Sequence, residues 1–294
     1  MDNICDICPR KCRAVREDES GAGFCRMGTL PRIARAAPHF WEEPPISGER
    51  GSGAVFFSGC NLRCVFCQNY GISAGGDGKT VTVERLREIY RELMDQGVHN
   101  ISLITATHYL DAVLESLDEK LPVPVVWNCG GYESVESLKR LEGKVQIYLP
   151  DMKYSLTEPA RKYSAAPDYP ETAKRAILEM FRQTGPYVID DDGMMASGVI
   201  IRHLVLPGNL ENTFGVIDWI ADTFEPGDIL FSLMSQYTPA GRAAKYPELS
   251  RRLTQEEYDE AIAYMESAGI EDGFYQELSS AKEEYTPPFD LTGV

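Results

Sequence analysis

The sequence predicts an α/β protein, a mainly parallel sheet flanked by helices and preceded by a small Cys-rich metal-binding module. Three observations predict it. From residue 53 onward, short and almost continuously apolar runs alternate with segments of helical periodicity, about six times over. Seven of the 8 cysteines fall into two groups, Cys5, Cys8, Cys12 and Cys25, then Cys60, Cys64 and Cys67. The formal net charge of −16 is uneven as well, because the first fifty residues carry as many basic as acidic side chains. A boundary is therefore expected in the Pro/Gly-rich stretch from Pro38 to Gly53, with residues 1–50 as the Cys-rich module and 51–294 as the larger domain.

Ala54 to Phe57 reads as the first buried strand. Val83, Leu86, Ile89, Tyr90, Leu93 and Met94 mark one helical face, with Glu84 in its first turn and Gly97 as a stop signal. Strands over Ile101–Ile104, Val123–Trp127 and Val145–Leu149 alternate with helices from Leu110 to Leu117 and Ser134 to Leu141. A helix from Thr172 to Gln183 precedes the strand Val199–Leu206, and a helix from Thr213 to Phe224 precedes the strand Ile229–Met234. A last helix covers Glu256–Ala268, and Asp190-Asp191-Asp192-Gly193 reads as an exposed turn. Right-handed crossovers wind such units into a barrel or a doubly wound sheet, and periodicity does not choose between them.

Composition narrows the function. At 43% hydrophobic and 25% charged, the chain is an ordinary globular one, and no apolar run approaches the ~20 residues that span a bilayer. The first residues are not a basic-plus-apolar leader, so a cytoplasmic location is expected. There, so many cysteines point to metal or redox chemistry before disulfides. The acidic balance argues against phosphate-backbone binding, so neither a nucleic-acid nor a membrane partner is expected.

The chemistry concentrates in Ser58-Gly59-Cys60-Asn61-Leu62-Arg63-Cys64-Val65-Phe66-Cys67-Gln68-Asn69. Three cysteines at C-x3-C-x2-C, directly after a strand, can hold three corners of a cubane iron–sulfur cluster. The fourth iron is then open to a substrate or cofactor. A zinc knuckle is disfavoured, since closed zinc sites normally pair C-x2-C hooks.

This segment resembles the signature of the radical S-adenosylmethionine superfamily. Cys67-Gln68-Asn69, Asp151-Met152-Lys153 and Arg202-His203-Leu204-Val205-Leu206-Pro207-Gly208 resemble the branch related to pyruvate formate-lyase activating enzyme. The resemblance implies a partial (β/α)6 barrel and a catalytic 4Fe–4S cluster on Cys60, Cys64 and Cys67, whose unique iron chelates S-adenosylmethionine. It implies Phe66 beside the adenine, Lys153 on the cofactor carboxylate, and Asp151 on a monovalent cation. Asn128 stands where that branch often carries an Asp, so the cation site lacks that carboxylate. Thr105 and Thr107 stand where the family has its Gly-Gly-Glu strand end, and would meet the amino group through backbone and hydroxyls. Arg202 matches an Arg reaching the nucleoside or carboxylate, and Gln236 or Tyr237 falls near the ribose contact.

By the same resemblance the activity is reductive cleavage of S-adenosylmethionine to a 5′-deoxyadenosyl radical that abstracts hydrogen. The implied substrate is a glycine of a glycyl-radical enzyme, and the implied electron donor is a flavodoxin or ferredoxin. The alternatives are a radical enzyme acting on a peptide or small molecule, and a non-enzymatic iron–sulfur or zinc-binding module. Cys5, Cys8, Cys12 and Cys25 form a second four-thiolate set for an auxiliary 4Fe–4S cluster or zinc, the irregular spacing favouring iron–sulfur. His203, alternating away from Arg202, reads as structural, and Cys129 as a buried small hydrophobe.

Overall fold

The computed structural model describes residues 4–276 and 286–294. Residues 4–30 are folded by short antiparallel bridges, Ile4 with Val15, Arg16 with Gly21 and Ser20 with Met27. The chain then enters β1 (Arg32–His39), turns through the four-residue helix α1 (Pro44–Ser47), and runs out along β2 (Ser52–Phe57), which is buried along its whole length. β1 pairs antiparallel with β2, from Ile33 opposite Phe57 to His39 opposite Ser52. Residues 32–50 thus belong with the main sheet, and the division expected near residue 50 falls inside its first hairpin-like pair. The Cys-rich segment that stands beside the sheet ends near Leu30.

After β3 (Lys79–Thr80), α2 (Val83–Asp95) starts where the Thr82 hydroxyl accepts the Arg85 N–H, and it buries Val83, Leu86, Ile89, Tyr90 and Leu93. β4 (Ile101–Ile104), α3 (Leu110–Ser116), β5 (Val125–Cys129), α4 (Val135–Lys139) and β6 (Ile147–Pro150) follow. Two helices, α5 (Thr157–Ser164) and α6 (Tyr169–Thr184), precede β7 (Val188–Ile189), and the acidic turn links β7 to β8 (Met195–Leu204). α7 (Leu210–Thr223), β9 (Leu230–Met234), α8 (Gln255–Ser267) and β10 (Gly273–Tyr275) complete the alternation, α8 opening on a Thr254–Glu257 capping box.

Among the described residues the sheet order is β10-β9-β8-β6-β5-β4-β2-β1-β3, with β7 on the flank of β8. β2, β4, β5, β6, β8, β9 and β10 are parallel, and each neighbours the next parallel strand in sequence. A doubly wound sheet reverses its order at a switch point. None occurs here, so every crossover lies on one side and the sheet curls into a partial barrel.

One end of the barrel's interior is filled by the short segment between β1 and β2. Ile46 of α1 is fully buried among inward-facing Val126, Ile147, Leu149, Ile200 and Leu230, and the Asn100 side-chain amide donates to its carbonyl at 2.7 Å. The segment between β1 and β2 therefore plugs the floor. Residues 286–294 return to β1, where the Ala36 N–H donates to Thr292 O at 2.9 Å and Arg35 pairs with Asp290 at 2.8 Å. No helix of the described residues is long and apolar enough to cross a membrane.

Candidate active site

Strand ends at the open mouth of the barrel bring Cys60, Cys64 and Cys67 to one cavity, which Phe66, Thr105, Asn128, Asp151, Lys153, Arg202 and Gln236 also line. The turn into the cysteine loop is made by Gly59, whose φ of +85° is left-handed and whose missing Cβ would stand 2.3 Å from Met27 Cγ. Each sulfur has a donor from its surroundings. Cys60 Sγ accepts the Leu62 N–H at 3.3 Å, Cys64 Sγ the Ser164 hydroxyl at 2.8 Å, and Cys67 Sγ the Ser73 hydroxyl at 3.3 Å. Burial pushes the Cys64 thiol up to about 12, against the pull of Lys153, and raises Cys67 as well. Both are thiols rather than thiolates in the metal-free chain, and a metal that binds them displaces their protons. Three thiols, hydroxyl donors and an adjacent cation in one cavity fit an anionic iron–sulfur cluster.

Behind the loop lies a layer of charge. Lys153 Nζ donates to Asp151 Oδ2 at 2.5 Å. Arg202 donates from Nε to Asp151 Oδ1 (2.9 Å), from Nη1 to Glu42 Oε2 (2.8 Å) and from Nη2 to Asn128 Oδ1 (2.7 Å). Asn128 in turn donates to Glu42 Oε1 at 3.0 Å. Burial opposes the charge on Asp151, yet Arg202 and Lys153 hold its carboxyl below the usual range. Burial equally opposes the Lys153 charge, and Asp151 more than restores it. Glu42 and Glu43 are raised by burial, with Arg202 pulling the other way, and Glu43 reaches about 6.

Sequence reasoning missed Glu42 and Glu43, which lie in the Pro-rich stretch taken for a linker. It also missed Tyr169. This fully buried phenol accepts the Lys153 N–H at 2.8 Å and lies 2.9 and 2.7 Å from the Gly130 and Asp151 carbonyls, so it clamps the ends of β5 and β6. Gly131, at φ +74°, lets those ends approach, since a Cβ there would lie 2.2 Å from Asp151 O. Tyr169→Phe strands the Lys153 N–H and is expected to cost ~1–3 kcal/mol in urea unfolding. An unchanged midpoint would refute the clamp.

Other candidates lie outside the cavity. The Thr107 hydroxyl donates to Glu133 Oε1 at 2.6 Å, and Thr107 does not line the cavity. His108, buried, puts Nε2 on Ser58 O at 2.8 Å. His203 is sandwiched between Met152 O (2.7 Å) and the Thr213 hydroxyl (2.9 Å), a structural role. Burial lifts Glu133 to about 8 from the ordinary 4.5, although the Thr107 hydroxyl opposes the rise. The folded chain therefore holds a proton that the unfolded chain releases between those values, and stability falls as pH rises through that window. Glu133→Gln is expected to flatten this slope and to gain ~3 kcal/mol over the wild type on going from pH 5 to pH 8.5. Parallel stability–pH curves for the two proteins would sink the assignment.

The N-terminal cysteines belong to a segment that contacts the loop through Arg10 on Asn61 and Arg63 on Phe24. Cys8 is buried, Cys5 and Cys25 half-buried, and Cys12 exposed. Burial raises Cys8 to about 12 and also raises Cys25; Cys5 adds to both shifts, and Cys12 to that of Cys25. Among the described residues no three His, Cys, Asp or Glu side chains converge as for a single ion. Arg10 ties this segment to the loop, donating to Asn61 O at 2.7 Å, to Ser164 O at 2.9 Å and to Ala165 O, with its guanidinium 4.0 Å over the Phe24 ring. Ser164 is the residue whose hydroxyl caps Cys64.

The sequence profile of the radical SAM superfamily matches residues 54–185. A relative from Methanocaldococcus jannaschii, the uncharacterized protein MJ0674, is 31% identical over 278 residues, covering 91% of this chain and 75% of its own. The chain belongs to the radical SAM superfamily. Solved structures similar to this chain include a domain of pyruvate-formate lyase-activating enzyme from Bacteroides vulgatus ATCC 8482, at 12% identity, 66% of this chain, 91% of that one and a TM-score of 0.37. Streptococcus suis SuiB bound to S-adenosylmethionine is 12% identical over 79% of this chain and 48% of its own, with a TM-score of 0.46. Family membership implies a 4Fe–4S cluster and S-adenosylmethionine, and the cavity that Cys60, Cys64 and Cys67 line carries the thiols that suit the cluster.

Proposed function

We propose that the protein is a radical SAM oxidoreductase that abstracts hydrogen from a substrate held in the barrel bore. The observation that carries this is the single cavity shared by the three loop cysteines and the charged layer of Asp151, Lys153 and Arg202. When bound, the cluster supplies the electron that splits S-adenosylmethionine into methionine and a 5′-deoxyadenosyl radical, which leaves as 5′-deoxyadenosine after taking a hydrogen atom. The chain's own residues bind and shield. Cys60, Cys64 and Cys67 hold the cluster, and Ser73 and Ser164 donate to two of the sulfurs. Lys153 offers its cation to the cofactor carboxylate, Thr105 lines the cavity for its amino group, and Phe66 and Gln236 line the space for the nucleoside. Asp151 is the candidate ligand for a monovalent cation, although Lys153 and Arg202 already occupy both its oxygens.

The substrate that the resemblance implies is a glycine of a glycyl-radical enzyme, with a flavodoxin or ferredoxin as donor. A peptide side chain or small molecule is favoured by a different observation: Thr286 and Pro287 join Trp41 and His39 in lining the cavity, which narrows the way in for a folded partner. The Cys5, Cys8, Cys12 and Cys25 set is proposed as an auxiliary 4Fe–4S site, with zinc as its rival. Anaerobic reconstitution, reduction and assay for 5′-deoxyadenosine tests the activity. No product from S-adenosylmethionine would overturn it in favour of a non-enzymatic metal-binding module.

A further inference from the structure

We propose that Glu43 reads the substrate, taking the ammonium or other cationic nitrogen of a small organic molecule at the floor of the bore. The inference rests on the bore being the substrate site. Glu43 is 7% exposed and lines the cavity, and its Oε2 has no hydrogen-bond partner among the described residues. The cation beside it offsets its charge only at a distance and gives Oε2 no hydrogen bond. Arg202 has committed Nε, Nη1 and Nη2 to Asp151, Glu42 and Asn128, and its Nη1 stays 4.0 Å from Glu43 Oε2. Lys153 is held by Asp151.

Three carboxylates, Glu42, Glu43 and Asp151, thus line the cavity against two cations, and the excess negative charge is the one whose oxygen is unpartnered. A buried carboxylate in that position is satisfied by a donor arriving from the cavity, and a positive donor satisfies it best. Glu43 is also fixed in place. The Ile46 and Ser47 N–H groups both donate to its carbonyl, Pro44 follows it at the start of α1, and Asn100 anchors the next turn. Phe56, Ile104, Leu204 and Met234 give the cavity an apolar stretch of wall that suits an alkyl chain. An anion would meet the excess carboxylate and is disfavoured.

The test uses n-butylammonium as the probe, with n-butanol and butyrate as neutral and anionic matches. Saturation-transfer NMR on the cluster-reconstituted, unreduced protein with S-adenosylmethionine present reads binding without turnover, so a failure to form 5′-deoxyadenosine leaves this result standing. On the wild type, n-butylammonium should bind best and butyrate worst. Glu43→Gln, which keeps the side chain's size, should weaken n-butylammonium about tenfold or more and leave n-butanol unchanged, as expected for loss of one charged hydrogen bond. The wild-type order decides the matter even where the variant does not fold. Equal binding of the three probes, or full binding to Glu43→Gln, would overturn the proposal. So would displacement by millimolar potassium, which would make this an inorganic cation site. Binding seen only without S-adenosylmethionine would assign Glu43 to the cofactor's own amino group, and would overturn it too.

Discussion

Changing Cys60, Cys64 and Cys67 together to Ala is expected to abolish 5′-deoxyadenosine formation and to remove about four irons per chain, the content of one cubane cluster. Each single change should have nearly the same effect on activity, since three thiolates from one short loop act as a unit and losing one opens the cluster to a second exchangeable iron. The folded chain should survive the triple change. Cys60 and Cys67 are only half-buried as residues, and the loop is held by other contacts, the Asn61 side-chain amide on Tyr132 O at 2.6 Å and Arg10 on Asn61 O at 2.7 Å. Iron counted on the triple variant then reads the N-terminal site alone. About four residual irons would assign Cys5, Cys8, Cys12 and Cys25 to a second 4Fe–4S cluster, and zinc in their place would assign tetrahedral zinc. Retained 5′-deoxyadenosine formation in the variant would remove Cys60, Cys64 and Cys67 from the reaction.

Much of this architecture was legible because its signals are local. Strands buried on both faces must be apolar throughout, so Ile101–Ile104 was marked to the residue. Three cysteines within eight residues and a strand-end Asp-x-Lys are equally local. What escaped was long-range. β1 reads Arg-Ile-Ala-Arg-Ala-Ala-Pro-His, too polar and too close to prolines to stand out as a strand, yet β2 recruits it by register. Glu42 and Glu43 sit beside Pro44-Pro45, where composition says linker. Only the closing of the sheet around α1 shows that this stretch is threaded into the bore. Tyr169 was invisible for the same reason, since its clamp joins β5 to β6 from the start of α6. Choosing the barrel over the doubly wound sheet needed strand order, which periodicity does not carry.

The largest structural effect is expected at Arg202. Its guanidinium lies between Asp151, Glu42 and Asn128, with the Arg202 side chain 13% exposed and those of Asp151 and Glu42 16% and 9% exposed. Removing it in Arg202→Met leaves Glu42, Glu43 and Asp151 with Lys153 alone to balance three buried carboxylates. Breaking one partner out of a buried charge network costs ~3–5 kcal/mol, because the abandoned charges keep their desolvation penalty. Arg202→Lys should recover only part of this, since an ammonium cannot repeat the three-armed geometry that reaches Asp151, Glu42 and Asn128 at 2.9, 2.8 and 2.7 Å. The penalty should shrink at lower pH, where Glu43 (about 6 in the folded chain) and Glu42, raised as well, take up protons. Urea unfolding of the wild type, Arg202→Met and Arg202→Lys at pH 5.5 and 8 reads all three effects. The network is refuted if Arg202→Met is as stable as the wild type at pH 8. Arg202→Met removes the charge and keeps most of the stem's bulk, so a penalty that does not fall at pH 5.5 would place its origin in the lost hydrogen bonds to Asp151, Glu42 and Asn128 rather than in unbalanced carboxylates.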